Sequence, residues 1–222
     1  RDRSPSRGLG DVYKRQVFSH LVGSDTEKLD VFTRRQIEVF EEAAAQLQEG
    51  FSFKIIRHIC NTAGIQRYPG AQFEMVRLGI GLYGVDPFTN EMLHNISTLR
   101  STILQIHDVS KEETVGYGRK GILERDSRIA AVPIGYADGL NRHLGNGRGY
   151  CLVNGKKAPY VGNICMDVCM IDVTDIDCRE GDKVIIFGDD LPVTVLSDLL
   201  DTIPYEVLTS VSNRVKRVYF QG

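Results

Sequence analysis

Tyr117 stands between two glycines in Thr114-Val-Gly-Tyr-Gly118, a loop composition that can hold a phenol out from a sheet. A free phenol titrates at about 10, so its use as a base near neutrality requires cationic neighbours or hydrogen bonds to the phenolate. On its own such a tyrosine covers apolar surface at a turn. Arg77 lies in Met75-Val-Arg-Leu-Gly-Ile-Gly-Leu-Tyr-Gly-Val-Asp-Pro87, where Val76, Leu78, Ile80 and Leu82 alternate with Arg77, Gly79, Gly81 and Tyr83. That period of two predicts a strand running into a loop. An unpaired guanidinium is costly to bury, so Arg77 implies a carboxylate or a ligand acceptor. Gly79 and Gly81 leave one face without side chains, which suits close backbone approach or an anion such as phosphate. A Gly-rich strand end at a tight packing point is the plainer reading of the same residues.

The elements that would carry these groups change character at Pro87. Val17 to Asp25 reads as a short strand ending in a polar loop, and Phe32, Ile37, Phe40, Ala44 and Leu47 recur at helical spacing between Phe32 and Gln48. Phe51 to Gly64 is a second strand ending in polar residues, followed by a short helical stretch and then the Arg77 strand. Strand, helix, strand, short helix, strand is the repeat of a parallel α/β architecture, in which ligands sit at the carboxyl ends of strands. His20, Asn61, Thr62 and Arg77 all fall at or near such ends. Taken singly, His20 is a loop or core histidine, and Asn61 and Thr62 are helix caps.

After Pro87, short β-branched or alternating runs at Ile96 to His107, Arg128 to Ile134, Tyr150 to Val153, Val168 to Val173 and Lys183 to Phe187 are separated by Gly, Asp and Asn turns. This spacing predicts an antiparallel β domain, with one helix near Thr194 to Leu200 and a final strand from Arg214 to Phe220. The expected organisation is an α/β part over 17–90 and a β domain over 91–222. Residues 1–16 are basic, rich in Gly, Pro and Ser and without periodicity, which makes them a disordered lead-in. Their ending, Asp-Val-Tyr-Lys-Arg-Gln, also looks like the conceptual translation of a sequencing adaptor, which places the true start of the protein upstream of Val17.

Composition narrows the function classes. A net charge of −2 over 222 residues gives no global field directed at nucleic acid or an acidic membrane. No apolar run has spanning length. Five cysteines without paired short spacings suit a reduced, cytoplasmic protein. Cys165 and Cys169 share a face of a strand-like segment, but no further ligand completes a metal pattern, so they are read as packing and no metal is expected.

Several strings together resemble the bacterial alanine racemases, fold-type III enzymes that use pyridoxal phosphate (PLP). The Arg77 stretch is similar to the family's Val-Arg-x-Gly-Ile-x-x-Tyr-Gly motif, which implies that Arg77 meets the pyridine nitrogen and that Gly79 and Ile80 contact the phosphate. Ser19-His20 through Asp25 and His58 through Ala63 fit segments that supply a ring-stacking histidine and an Asn–hydroxyl pair, here His20, Asn61 and Thr62. Thr114 to Gly118 resembles the segment whose tyrosine exchanges the α-proton of L-alanine, which implies that role for Tyr117. Pro133-Ile-Gly-Tyr-Ala-Asp-Gly-Leu140 looks like the family signature, with Tyr136 at the substrate entrance and Arg142 nearby. Val161-Gly-Asn-Ile-Cys-Met-Asp167 is similar to the segment whose Cys-Met-Asp contacts substrate from the partner subunit, which implies that Met166 does so through its backbone N–H; without the resemblance Met166 reads as core and Tyr136 as a strand-end aromatic.

The resemblance runs from Val17 to the C-terminus. It implies the C-terminal part of a TIM barrel followed by a mostly antiparallel β domain, a head-to-tail homodimer when complete, and interconversion of L- and D-alanine for peptidoglycan synthesis. Two departures stand out. No Lys-Ala-x-Ala-Tyr-Gly-His-Gly segment is present, so the PLP lysine is not in this chain. Asn213 also stands where most members have a phosphate-contacting tyrosine, which weakens that contact and leaves room for a substrate such as serine. A serine or broad-specificity racemase, a decarboxylase of the same fold type, and a non-catalytic interaction module remain as alternatives.

Overall fold

The computed structural model describes residues 15–220. The lead-in expected over residues 1–16 therefore lies, as far as residue 14, outside the described residues. The chain divides into two units, Arg1–Leu93 and His94–Gly222.

In the first unit, β1 (Gln16–Phe18) pairs in parallel with β2 (Ile56–His58), in the register Gln16↔Ile56, Val17↔Arg57, Phe18↔His58. Ile56 N–H also donates to the Arg15 carbonyl at 2.8 Å, so ordered pairing begins before Val17. The crossover between the strands is α1 (Asp30–Glu49). Its core stripe is Thr33, Ile37, Phe40 and Ala44, whereas Phe32 and Leu47, expected on that face, are exposed. The helical period of 3.6 lets 33, 37, 40 and 44 share one face and turns position 32 aside. Phe40 packs with Leu21, Ile59, Cys60, Tyr68 and Ala71. A short helix, α2 (Thr62–Arg67), follows β2.

The Arg77 stretch is not the strand its alternation predicts. Its main chain makes one ladder-like bond, Arg77 N–H to the Cys60 carbonyl at 3.0 Å, and then coils into a 3₁₀ turn over Ile80–Tyr83. The Gly79 and Gly81 N–H groups donate to Thr62 Oγ1 at 2.9 and 3.3 Å, so a side chain takes donors that a ladder would need. The unit runs to Leu93, where the Asp86 and Leu93 N–H groups donate to the Glu91 and Gly84 carbonyls and fold the 85–93 loop back.

The second unit is built on antiparallel sheets. One has the order β10 (Cys169–Asp172), β7 (Ser127–Val132), β4 (Gln105–Val109). The other runs β3 (Leu99–Thr102), β11 (Lys183–Phe187), β8 (Tyr150–Val153), β9 (Lys156–Pro159). A small hairpin pairs β5 (Thr114–Val115) with β6 (Gly121–Ile122). Helices α3 (Val193–Leu199) and α4 (Pro204–Ser210) complete the unit. Ile129, Val132, Val153, Ile171, Val184 and Ile186 are almost completely buried on four strands, and in β10 Cys169 and Ile171 are buried while Met170 and Asp172 are only partly so, the alternation of a strand with one inward face.

Two expectations change here. The strand β9 and the helix α4 were not read from the sequence, although Asn154-Gly155, with φ of 49° and 76°, is the two-residue turn that joins β8 to β9. Conversely, Arg214 to Phe220 forms no strand. The described main chain there has no ladder partner, and Arg217 turns back to donate to the Val211, Ser212 and Val215 carbonyls. Among the described residues no helix is long and apolar enough to cross a membrane. The five cysteines are free thiols, Cys165 half-buried and the others buried.

Candidate active site

In the first unit the predicted groups gather at the carboxyl ends of β1 and β2. Arg77 is held there by neutral acceptors. Its Nη1 donates to His58 Nδ1 at 2.6 Å and to the His58 carbonyl at 3.2 Å, and Nη2 to the Ser19 carbonyl at 2.7 Å and the Ile59 carbonyl at 3.3 Å. His20 Nδ1 lies 3.2 Å from Nη2, and the guanidinium sits 5.3 Å from the centroid of Phe18. No carboxylate among the described residues pairs with it, and its Nε–H has no acceptor among them. Burial pulls the Arg77 pKa below its ordinary value.

His58 fixes this arrangement, and sequence reasoning gave it no role. A guanidinium only donates, so Nδ1 is the imidazole acceptor. Its Nε2, 3.2 Å from Gln16 Oε1, then carries the proton. One neutral tautomer satisfies both contacts. Burial, and secondarily the Arg77 charge, push the His58 pKa below the usual histidine value and favour that neutral form. The ring also stacks on Phe18, with centroids 5.2 Å apart and planes 10° apart. The available signal was a histidine ending a strand three residues before Asn61.

Asn61 serves as the N-cap of α2: Oδ1 accepts from Gly64 N–H and Ser24 Oγ, each at 2.9 Å, and Nδ2 donates to the Leu21 carbonyl. Its side chain is thus committed to the protein. Thr62 differs, because accepting from Gly79 and Gly81 leaves its own O–H to donate. A Cβ on Gly81 would fall 2.6 Å from Thr62 Cγ2, so the close approach of this loop to Thr62 requires glycine. Gly79 N–H is spent on Thr62, whereas the Ile80 N–H has no acceptor among the described residues. A guanidinium with an unused N–H, a hydroxyl and a free backbone N–H on one rim fit a ligand with an acceptor nitrogen and an anionic group.

In the second unit the predicted residues sit on loops tied to one segment, residues 161–168. Tyr117 is 76% exposed, on a turn whose flanking Gly116 and Gly118 have φ of 77° and 67°, a region disfavoured for side-chain-bearing residues. Its phenol makes no hydrogen bond among the described residues, while its carbonyl accepts from Asn163 Nδ2 at 3.1 Å. Tyr136 and Ala137 N–H groups donate to the Cys165 and Met166 carbonyls, both at 3.0 Å. A Cβ on Gly135 would fall 2.3 Å from the Met166 oxygen, so glycine permits this docking. The Met166 N–H is left without an acceptor among the described residues. Arg142, exposed in the turn between buried Leu140 and Leu144, has no side-chain partner among them. The Arg142 loop also reaches the segment, since Asn146 N–H donates to the Gly162 carbonyl at 2.8 Å.

Three residues that sequence reasoning left without a role also sit here. Arg214 donates to Asp138 and to Asp167, both at 2.6 Å. The Arg214 guanidinium holds the Asp138 carboxyl below the usual carboxylate range.

These strings carry across to known proteins. The alanine racemase C-terminal domain family model matches residues 96–219, and the alanine racemase N-terminal domain model matches residues 7–87. Alanine racemase 1 of Clostridium acetobutylicum is 40% identical over 96% of this chain and 58% of its own length. Alanine racemase 2 of Caldanaerobacter subterraneus is 39% identical over 91% of this chain and 54% of its own. The chain thus spans a little over half the length of the curated relatives it matches. The crystal structure of the Bartonella henselae alanine racemase, with covalently bound pyridoxal phosphate, aligns with a TM-score of 0.82 at 33% identity over 93% of this chain and 56% of that one. The Bacillus anthracis alanine racemase with bound L-Ala-P aligns with a TM-score of 0.84 at 30% identity over 93% and 55%. With over half of its residues matched by the C-terminal model alone, the chain belongs to the alanine racemase family.

Proposed function

We propose that this chain is the C-terminal part of an alanine racemase, supplying the last βα units of a TIM barrel and the β domain, with cofactor-binding residues on the first and, on the second, Tyr117 that faces the PLP of the partner subunit, but not the lysine that carries PLP. The observation that carries the reading is Arg77: a part-buried guanidinium held by carbonyl and imidazole acceptors, with its Nε–H unspent, on the same rim as the Thr62 hydroxyl and the Ile80 N–H. Arg77 would hold the pyridine nitrogen, the Thr62 hydroxyl and the Ile80 N–H the phosphate, and His20 the ring face, with Asn61 shaping the loop beneath and Gly79, whose N–H is spent on Thr62, giving the phosphate room rather than the donor expected of it. PLP, when bound, makes the α-C–H of the amino acid acidic by withdrawing electrons from it.

The chain's own residues do the rest. Arg77 can only donate, so it keeps the nitrogen it meets an acceptor and moderates that electron withdrawal. Tyr117 gives and takes the α-proton at its phenol oxygen on the L-alanine side. The Met166 N–H and Arg142 orient substrate, with Tyr136 at the entrance. The enzyme works as a cytoplasmic homodimer, and Asn213 favours a second substrate, serine, by its small side chain.

The test is circular dichroism of L-alanine with added PLP, for this chain alone and for a chimera in which the lysine-bearing upstream part of the Clostridium acetobutylicum relative precedes Val17. Turnover by the chimera and none by the chain alone is expected. A folded, PLP-binding chimera that left alanine unchanged while turning over L-lysine or L-ornithine would overturn the reading.

A further inference from the structure

We propose that Arg214 is a positioning residue that fixes the Tyr136 turn against the Met166 loop by bridging one carboxylate from each. Its Nε donates to Asp138 Oδ1 and its Nη2 to Asp167 Oδ1, both at 2.6 Å. A planar guanidinium serves two carboxylates at once in fixed directions, which a single ammonium point charge does not. Asp138 is the inner partner, with its side chain 14% exposed against 63% for Asp167. Its second oxygen accepts from Gly135 N–H at 2.8 Å, and its carbonyl accepts from Ser212 N–H at 3.0 Å. Ser210 Oγ donates to the Gly139 carbonyl at 3.1 Å, so the segment carrying Arg214 is anchored on the same turn.

Two carboxylates against one guanidinium leave the group net negative, and Arg214 is itself about half exposed. An exposed group of this kind contributes little to global stability. What it fixes is a relative position. Asp138 closes the turn whose Tyr136 and Ala137 N–H groups dock on the Cys165 and Met166 carbonyls, and Asp167 directly follows Met166. Among the described residues, Arg214 is therefore the side chain that reaches both strings at their charged residues. Its consequence for substrate rests on the reading of Tyr136 and Met166 given above; the tie itself does not.

Hydrogen exchange of the 222-residue chain, read on peptides spanning 133–140 and 163–168, tests this without requiring activity. Arg214→Gln is expected to speed exchange at Tyr136 and Ala137 about tenfold, with the thermal midpoint and the β7 amides unchanged. Arg214→Lys, which can hold one carboxylate, restores only part of the protection. Asp167→Asn reproduces the effect, and the double variant adds little to either single one. Because Arg214 depresses the Asp138 pKa, the pH below which protection is lost moves upward in Arg214→Gln. Unchanged exchange in Arg214→Gln, equal acceleration throughout the His94–Gly222 unit, or full rescue by lysine would overturn the proposal. A chimera that failed to racemise alanine would leave these exchange results as they stand.

Discussion

Two arginines organise the two units, and they are held in opposite ways. Arg77 is part-buried and surrounded by carbonyls, an imidazole and an aromatic face, so its charge is not cancelled by the protein. Arg214 is half exposed and lies between two carboxylates. Withholding a carboxylate from a buried guanidinium is costly, and such an arrangement suits a group that must meet an external acceptor. Supplying two carboxylates suits a group whose partners are all internal. On the proposed reading, the contrast separates an arginine that binds from one that positions.

That distinction can be broken by substitution, the largest effect being expected first. In the chimera, Arg77→Gln should lower racemisation on the order of a hundredfold, the scale for loss of a preorganised donor, and should weaken PLP affinity measured by absorbance titration. Arg214→Gln should leave PLP affinity unchanged. Equal loss of PLP affinity in the two variants would abolish the contrast.

His58→Ala strips Arg77 and Gln16 of their shared partner and is expected to cost about 1–3 kcal/mol in urea unfolding of the chain, with His58→Gln recovering part of it. Acid should distinguish the units as well. The folded pKa of His58 is depressed, so its contribution is complete above the unfolded value of about 6.5 and is lost as pH falls through the folded value. Asp138 is also depressed, but its contribution persists down to about 3.9, the unfolded value for aspartate, and is lost only below it. Glu74, held near about 2 chiefly by Arg57, keeps its ion pair further still. Hydrogen exchange around Arg77 should therefore begin to rise at a higher pH than exchange around Tyr136. The smallest effect is expected of Asn163→Ala, which removes the bond to the Tyr117 carbonyl and should loosen only the 114–119 turn, by about 0.5–1.5 kcal/mol.

The sequence was most legible where local pattern and local structure coincide. Tyr150 to Val153 and Lys183 to Phe187 are strands with the bounds their β-branched runs suggest. His20, Asn61 and Thr62 do lie at the ends of paired strands. Legibility failed where a long-range partner decides. Alternation around Arg77 and after Arg214 mimicked strands, but a strand needs a second chain segment, and here Thr62 and the Arg217 side chain take up the backbone groups instead. The Arg214 tie to Asp138 spans 76 positions, and no spacing rule connects them. The acceptor of Arg77 was expected to be a carboxylate or a ligand, and its neutral protein partners depend on how β1 and β2 end side by side.

The central claim is that Tyr117 moves the α-proton on one face of the substrate. Its most direct test is deuterium incorporation at Cα from D₂O, started from each enantiomer of alanine, by the chimera with Tyr117→Phe. The account predicts that exchange from L-alanine falls by about 10²–10⁴-fold, the range for losing a positioned acid–base group, while PLP binding and exchange from D-alanine persist. Near wild-type exchange from L-alanine would contradict it.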